Sequence, residues 1–142
     1  MPQFTSQQAR TVIDAAFAAA RQSTFKPMAV VVVDASAQVV ASAREDGASP
    51  LRLDIALGKA GAAVGMGVDS RALAPGAAAL PVFFASIPAV SQQKFIPHTA
   101  AVLIRDAQGV VVGAAGASGG TGDEDAQIVM AGIVAAGLKH SM

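Results

Sequence analysis

Twice in this chain a β-branched or apolar run crosses a short polar turn into a second such run. The first pair is residues 28–33 and 39–44, joined by Asp34-Ala35-Ser36-Ala37-Gln38. The second is residues 98–104 and 110–114, joined by Arg105-Asp106-Ala107-Gln108-Gly109. Such spacing favours antiparallel hairpins over parallel crossovers, which need a dozen or more connecting residues. Helical patterns separate and flank the two pairs. Thr5 and Gln8 have capping-box spacing, and Ala9, Val12, Ile13, Ala16, Phe17 and Ala20 follow at helical period, predicting a helix over 6–22. Ser49 as N-cap and Pro50 at the first helical position predict a second helix to about residue 64. Gly58 and Gly61 inside it imply close approach of another backbone, since an interior glycine costs roughly 1 kcal/mol against alanine. A last helix is expected over 123–138. The order helix, hairpin, helix, hairpin, helix predicts an α+β fold, a mainly antiparallel sheet of two hairpins flanked by helices. The span 65–93 is less regular, with Pro75, Pro81 and Pro88, a helical turn near 70–73, and the aromatic patch Pro81-Val82-Phe83-Phe84.

At 142 residues the chain has the length of one domain, taken as 1–142. Ten basic and ten acidic residues cancel and form no basic stripe, which argues against nucleic acid and anionic membranes as partners. With no net charge to keep it dispersed and an excess of small apolar residues, it is expected to form a homo-oligomer, at least a dimer. The absence of cysteine excludes disulfides and thiolate chemistry, and two histidines cannot build a multi-histidine metal centre in one chain. The opening residues lack a charged n-region and an apolar h-region, and no apolar run is long enough to span a bilayer, so a cytoplasmic location is expected.

The segment from Gly109 to Asp125 combines an apolar strand, a glycine-dense turn and a helix start, with Thr121 and Glu124 spaced as a second capping box. Its open amides and helix dipole suit an anionic ligand group near Gly116, Ser118 and Gly119. The alternative is a tight strand-to-helix connection in which glycine relieves crowding. Arg44 and Asp46 close the second strand. Arg44 either grips a carboxylate bidentately or forms a local ion pair, with Gly47 shaping the turn. Lys59, on a charge-poor helix, reaches a ligand or extends to solvent. His98 is a candidate axial ligand or acid–base, or simply a strand-end histidine; His140, near the terminus, is expected to be disordered or exposed. Phe83, Phe84 and Phe95 either line a pocket for a flat ligand or belong to a core or interface. Asp123, Glu124 and Asp125 complement the helix dipole, and three acids alone offer too few oxygens for a hard cation. Phosphate-loop, nucleophile-elbow and metalloprotease motifs are absent.

Taken in order, Val30-Val31-Val32-Val33-Asp34, Arg44-Glu45-Asp46-Gly47-Ala48, Ala56-Leu57-Gly58-Lys59-Ala60 and residues 113–125 followed by Ala131-Gly132 resemble the GlcG/HbpS family, a domain also found at the C-terminus of PduO-type proteins. The resemblance covers nearly the whole chain. It implies a helix-flanked sheet assembled into dimers and higher oligomers. Some relatives bind haem or take part in haem and iron handling; others accompany catabolic enzymes. Together with the glycine corner, Arg44 and the Phe patch, it leads to a small-ligand-binding protein, with haem or a similar anionic ligand as cofactor; the alternative is a cofactor-independent enzyme acting on a small carboxylated metabolite, with His98 or Asp46 as acid–base and Arg44 as anchor. Two departures mark this sequence. The first hairpin turn lacks the family's usual glycine, and Lys94-Phe95-Ile96-Pro97-His98 stands where a Gly-Gly-hydrophobic-Pro segment is usual.

Overall fold

A computed structural model describes residues 4–141. Helix α1 (Ser6–Gln22) is followed by strands β1 (Ala29–Asp34) and β2 (Val39–Arg44), then helix α2 (Leu51–Met66). A 3-10 turn (Ser70–Leu73) leads to two short helices, α3 (Ala74–Ala79) and α4 (Pro81–Ser86), and a second 3-10 turn (Ile87–Ala89). Strands β3 (Ala101–Arg105) and β4 (Val111–Ser118) and helix α5 (Gly122–Ala135) complete the order. All pairings are antiparallel, in the order β2-β1-β4-β3, so the inner strands of the two hairpins join them into one sheet.

Period-two alternation assigns each face of this sheet its own core. Val30, Val32, Val102, Ile104, Ala115 and Ala117 face α1 and α5. Val31, Val33, Leu103 and Ala114 face Ala56, Ala60 and Ala63 of α2. β1 and β4 are buried on both faces, which explains their unbroken apolar runs. The outward amides of β3 are occupied: Ala101 N–H donates to Ser70 Oγ at 2.9 Å and Leu103 N–H to Asp69 Oδ1 at 2.8 Å.

Three of the boundaries that differ from the sequence reading bear on the site. β4 runs on through Gly113 and Gly116 to Ser118. Gly116 keeps the strand pressed to α2, because a Cβ there would strike the Ala56 carbonyl oxygen. β3 begins at Ala101, not His98: Pro97 has no amide to give, His98 N–H turns back to Ile96 O at 2.9 Å, and Ile96 N–H is held by Gly58 O of α2 at 3.0 Å. α2 starts at Leu51 with no side-chain cap from Ser49; Pro50 takes the cap position with helical dihedrals. The glycines inside α2 do admit a close neighbour, a side chain at Gly58 and a backbone at Gly61, but both belong to this chain. A Cβ on Gly58 would meet Ile96 and one on Gly61 would meet the Lys94 carbonyl. They therefore give no support to a subunit contact.

Candidate functional site

The glycine corner between β4 and α5 is a cluster of polar groups bonded to one another. Thr121 Oγ1 accepts from Glu124 N–H at 3.2 Å and Glu124 Oε1 accepts from Thr121 N–H at 2.9 Å, the reciprocal capping box its spacing predicts. One step inside, Gly120 N–H donates to Asp125 Oδ1 at 2.8 Å. The anionic group received by this corner is thus the chain's own carboxylate. Lys59 arrives from α2 on the far side, its Nζ 3.7 Å from Asp125 Oδ2 and donating to Ala117 O at 3.2 Å. The side chains of the pair are only 7% and 2% exposed, so neither relies on water. Burial pushes the Asp125 carboxyl up, opposed by the Gly120 amide and the Lys59 charge. Burial likewise pushes Lys59 down, opposed by Asp125. Two turns earlier on α2, Arg52 Nη1 donates to Ser118 Oγ at 3.2 Å.

Arg44 and Asp46 lie at the same end of the sheet. Ala29 pairs with Arg44 on one side and Ser118 on the other, so these three residues share the α2 face. Both Arg44 and Asp46 are exposed, and their side chains make no hydrogen bond or ion pair among the described residues. The residue between them anchors the loop: Glu45 Oε1 accepts from Met28 N–H at 2.8 Å, and Glu45 Oε2 pairs with Arg21 Nε at 3.0 Å. An open recess of about 480 Å³ is lined by Phe17, Arg21, Pro27 and the Arg44–Asp46 loop.

A larger cavity lies elsewhere, beyond the opposite end of β1. It has a volume of about 660 Å³ and lies between the C-terminal half of α2, the first hairpin turn and the α4 region. Met66, Phe83, Ile87, Val90 and Phe95 supply its apolar wall. Phe84 stands behind, its ring 5.7 Å from that of Phe83 and 5.9 Å from that of Phe95. Lys94 is the one cation in the lining, and its Nζ donates to Ala37 O on the hairpin turn at 3.1 Å. Ser91 also belongs to the lining, with its Oγ buried behind the wall and without a hydrogen-bond partner. Leaving such a group unmatched costs about 1–3 kcal/mol.

The residues singled out in the sequence therefore fall in separate places. Lys59, Gly116, Ser118 and Gly119 gather at the corner, Arg44 and Asp46 lie beside it, and Phe83 belongs to the cavity. His98 is an exposed bend residue outside the cavity lining. His140 is half-buried, next to the Arg105–Lys139 bridge. Arg52, Asp125, Ser91 and Lys94 had no assigned place at a site. Arg52 stands on the same charge-poor helix as Lys59 and Asp125 is one of three adjacent acids, which were the available signals for the first two; the last two required knowledge of the turn that joins them. The described residues contain no group of three or more His, Asp or Glu suited to a metal ion, and no single helix is long and apolar enough to cross a membrane.

The family model described as "Haem degrading protein HbpS-like" matches residues 4–134. Among solved structures, a PduOC:heme complex superposes with a TM-score of 0.81 at 24% identity, over 98% of this chain and 99% of that one. A double Glu-to-Asp variant of HbpS from Streptomyces reticuli gives 0.80 at 27% identity, over 94% and 87%. The protein ORFY of Klebsiella pneumoniae gives 0.78 at 22% identity, over 94% and 90%. No curated protein matches significantly.

Proposed function

The chain belongs to the haem-degrading HbpS-like family, and from that premise we propose that it binds haem, or a similarly flat anionic molecule, in the cavity beside α2 and α4. The observation that carries this reading is the cavity itself. Its volume of about 660 Å³ falls within the roughly 300–1,000 Å³ usual for small-ligand sites. Phe83 and Phe95 offer faces for a macrocycle, Met66, Ile87 and Val90 cover it, and Lys94 offers a charge for a propionate. When bound, haem would supply redox-active iron; the protein's share is to hold the ring and exclude water from it. Haemin titration followed in the visible spectrum tests the reading. A Soret shift saturating near one haem per subunit, weakened by Phe83→Ala, supports it; no saturable shift rejects it.

The same region supports self-association. Leu80, Val82, Phe83 and Val90 are 58%, 85%, 56% and 85% exposed, a density of apolar side chains that a partner subunit would cover. Light scattering showing only monomer at micromolar concentration would reject this.

A second reading keeps the ligand at the other end. Arg44 makes no side-chain hydrogen bond or ion pair among the described residues, shares a sheet face with Ser118, and Ser118 already carries the Arg52 guanidinium. Two arginines converging from a strand and a helix suit a small carboxylate. In that reading the protein acts on a carboxylated metabolite without a cofactor, Arg44 and Arg52 serving as anchors and Asp46 lying beside them.

A further inference from the structure

Residues 91–94 form a tight turn whose two ends supply the polar groups of the cavity wall. Lys94 N–H donates back to Ser91 O at 3.1 Å, and the two central residues, Gln92 and Gln93, have φ of 57° and 66°. Left-handed backbone at consecutive non-glycine residues is disfavoured and persists only where the surroundings enforce it. The enforcement is visible at Gly61 of α2, where the missing Cβ leaves room for the Lys94 carbonyl. This turn brings Ser91 and Lys94 side by side.

Both groups lack the partner their chemistry calls for. Ser91 Oγ is buried with no hydrogen bond. Lys94 is half-buried, forms no ion pair among the described residues, and satisfies its ammonium only on a neutral carbonyl, Ala37 O. A carboxylate accepts from both a hydroxyl and an ammonium, and it supplies the missing counter-charge. The rest of the wall is apolar or neutral and holds no His, Asp or Glu.

Resting on the reading that this cavity is the ligand site, we infer that it recognises its ligand by carboxylates on one edge, received by Lys94 and Ser91, and by an apolar face, and not through a metal. It is therefore a site for flat tetrapyrrole carboxylates as a class, iron-free porphyrins included. On binding, Lys94 Nζ exchanges Ala37 O for the ligand carboxylate, and the Ser91 side chain turns toward the cavity so that its buried Oγ gains an acceptor.

The test uses three probes on the full chain: haemin, iron-free protoporphyrin, and the same porphyrin with both carboxylates esterified, followed by absorbance and porphyrin fluorescence. Haemin and the free-acid porphyrin are expected to bind with affinities of the same order. Esterification and Lys94→Met should each weaken binding of the iron-free porphyrin by about ten- to a hundredfold, the range for loss of a charge-assisted contact. Lys94→Arg should recover most of it, and Ser91→Ala should have a smaller effect in the same direction. The ester comparison is made on the unaltered protein, so it stands even if Lys94→Met fails to fold. If haemin binds but the free-acid and esterified porphyrins bind equally, or neither does, the inference is overturned while haem binding survives. If haemin itself does not bind, the reading beneath it fails as well.

Discussion

The two ends of β1 have been finished in opposite ways. At the Ala29 end, the polar groups of the glycine corner are matched within the chain: Asp125 fills the Gly120 amide, Lys59 answers Asp125, and Arg52 meets Ser118. At the Asp34 end, the wall is apolar, the connecting turns are left-handed at Ala37, Gln92 and Gln93, and a hydroxyl and an ammonium remain under-partnered. Glycine-rich sequence marks the first and aromatic, proline-broken sequence the second. A corner with open amides in sequence is not open in space when an acid five residues on can fold back into it. Unsatisfied chemistry, more than motif density, separates a receptive region from a closed one.

The sharpest way to break that comparison is to remove Lys59. Lys59→Ala leaves the Asp125 carboxylate buried without its counter-ion, and loss of one partner of a buried pair costs about 3–5 kcal/mol. Urea unfolding should show a loss of that size, whereas Lys59→Met with Asp125→Leu should restore much of the stability. A loss below about 1 kcal/mol for the single variant would mean water reaches Asp125 and the corner is not closed.

Arg44→Ala tests whether the corner's rim still binds something. Under the small-carboxylate reading it should weaken binding of such an acid by about ten- to a hundredfold, equivalent to roughly 1.5–3 kcal/mol. Haemin affinity should not change, because Arg44 does not line the cavity. A parallel loss of haemin binding would merge the two sites and refute their separation.

The pH dependence of stability sharpens the contrast further. Burial raises the folded-state pKa of Asp125, so as pH rises past the ordinary carboxylate value the unfolded chain releases its proton first. The unfolded state then binds fewer protons, and the contribution of this group to stability falls until the folded carboxyl also ionises. Burial lowers Lys59, so on the alkaline side the folded chain releases its proton first and stability recovers up to the ordinary lysine value. Subtracting the urea stability of the Lys59→Met/Asp125→Leu variant from that of the unaltered protein should give a difference that dips between these limits. A pH-independent difference would show that the pair titrates as if exposed.

Local chemistry was legible in the sequence and long-range pairing was not. Thr5 with Gln8 and Thr121 with Glu124 form the capping boxes their spacing predicts, because both partners lie within one helical turn. The antiparallel hairpins follow from period and turn length. The pairing of β1 with β4, which decides that Arg44, Ala29 and Ser118 share a face, joins segments about eighty residues apart and leaves no local trace. Lys59 stood out as a lone charge on α2, but its partner was one of three adjacent acids, and only the packing of α5 against β4 selects Asp125. Gly58 and Gly61 announced a close approach without naming the neighbour. The Phe patch raised a pocket as one of two readings but not its other walls, which come from α2 and a hairpin turn as well as the irregular 81–95 span, where periodicity is weakest.

The smallest expected effect concerns the hairpin turn at the cavity rim. Ala37 holds φ at 61°, just before the register shifts between Val32 and Val33 against β2. A bulge next to a turn asks for left-handed backbone, which glycine adopts freely and alanine resists by about 1–2 kcal/mol. Glycine is also freer in the unfolded chain, which takes back up to about 1 kcal/mol. Ala37→Gly should therefore stabilise the protein by about 0.5–1 kcal/mol in urea unfolding. It should leave the Lys94 contact available, since the acceptor is the backbone carbonyl of residue 37 and not its methyl group. If the substitution weakens ligand binding while raising stability, the left-handed alanine is holding that carbonyl in place for Lys94, and the strain at this end of β1 serves the cavity. If it lowers stability, the strained turn is relieved by contacts of the methyl group, and the contrast between a settled corner and an unsettled rim is weaker at this residue than its dihedral angle indicates.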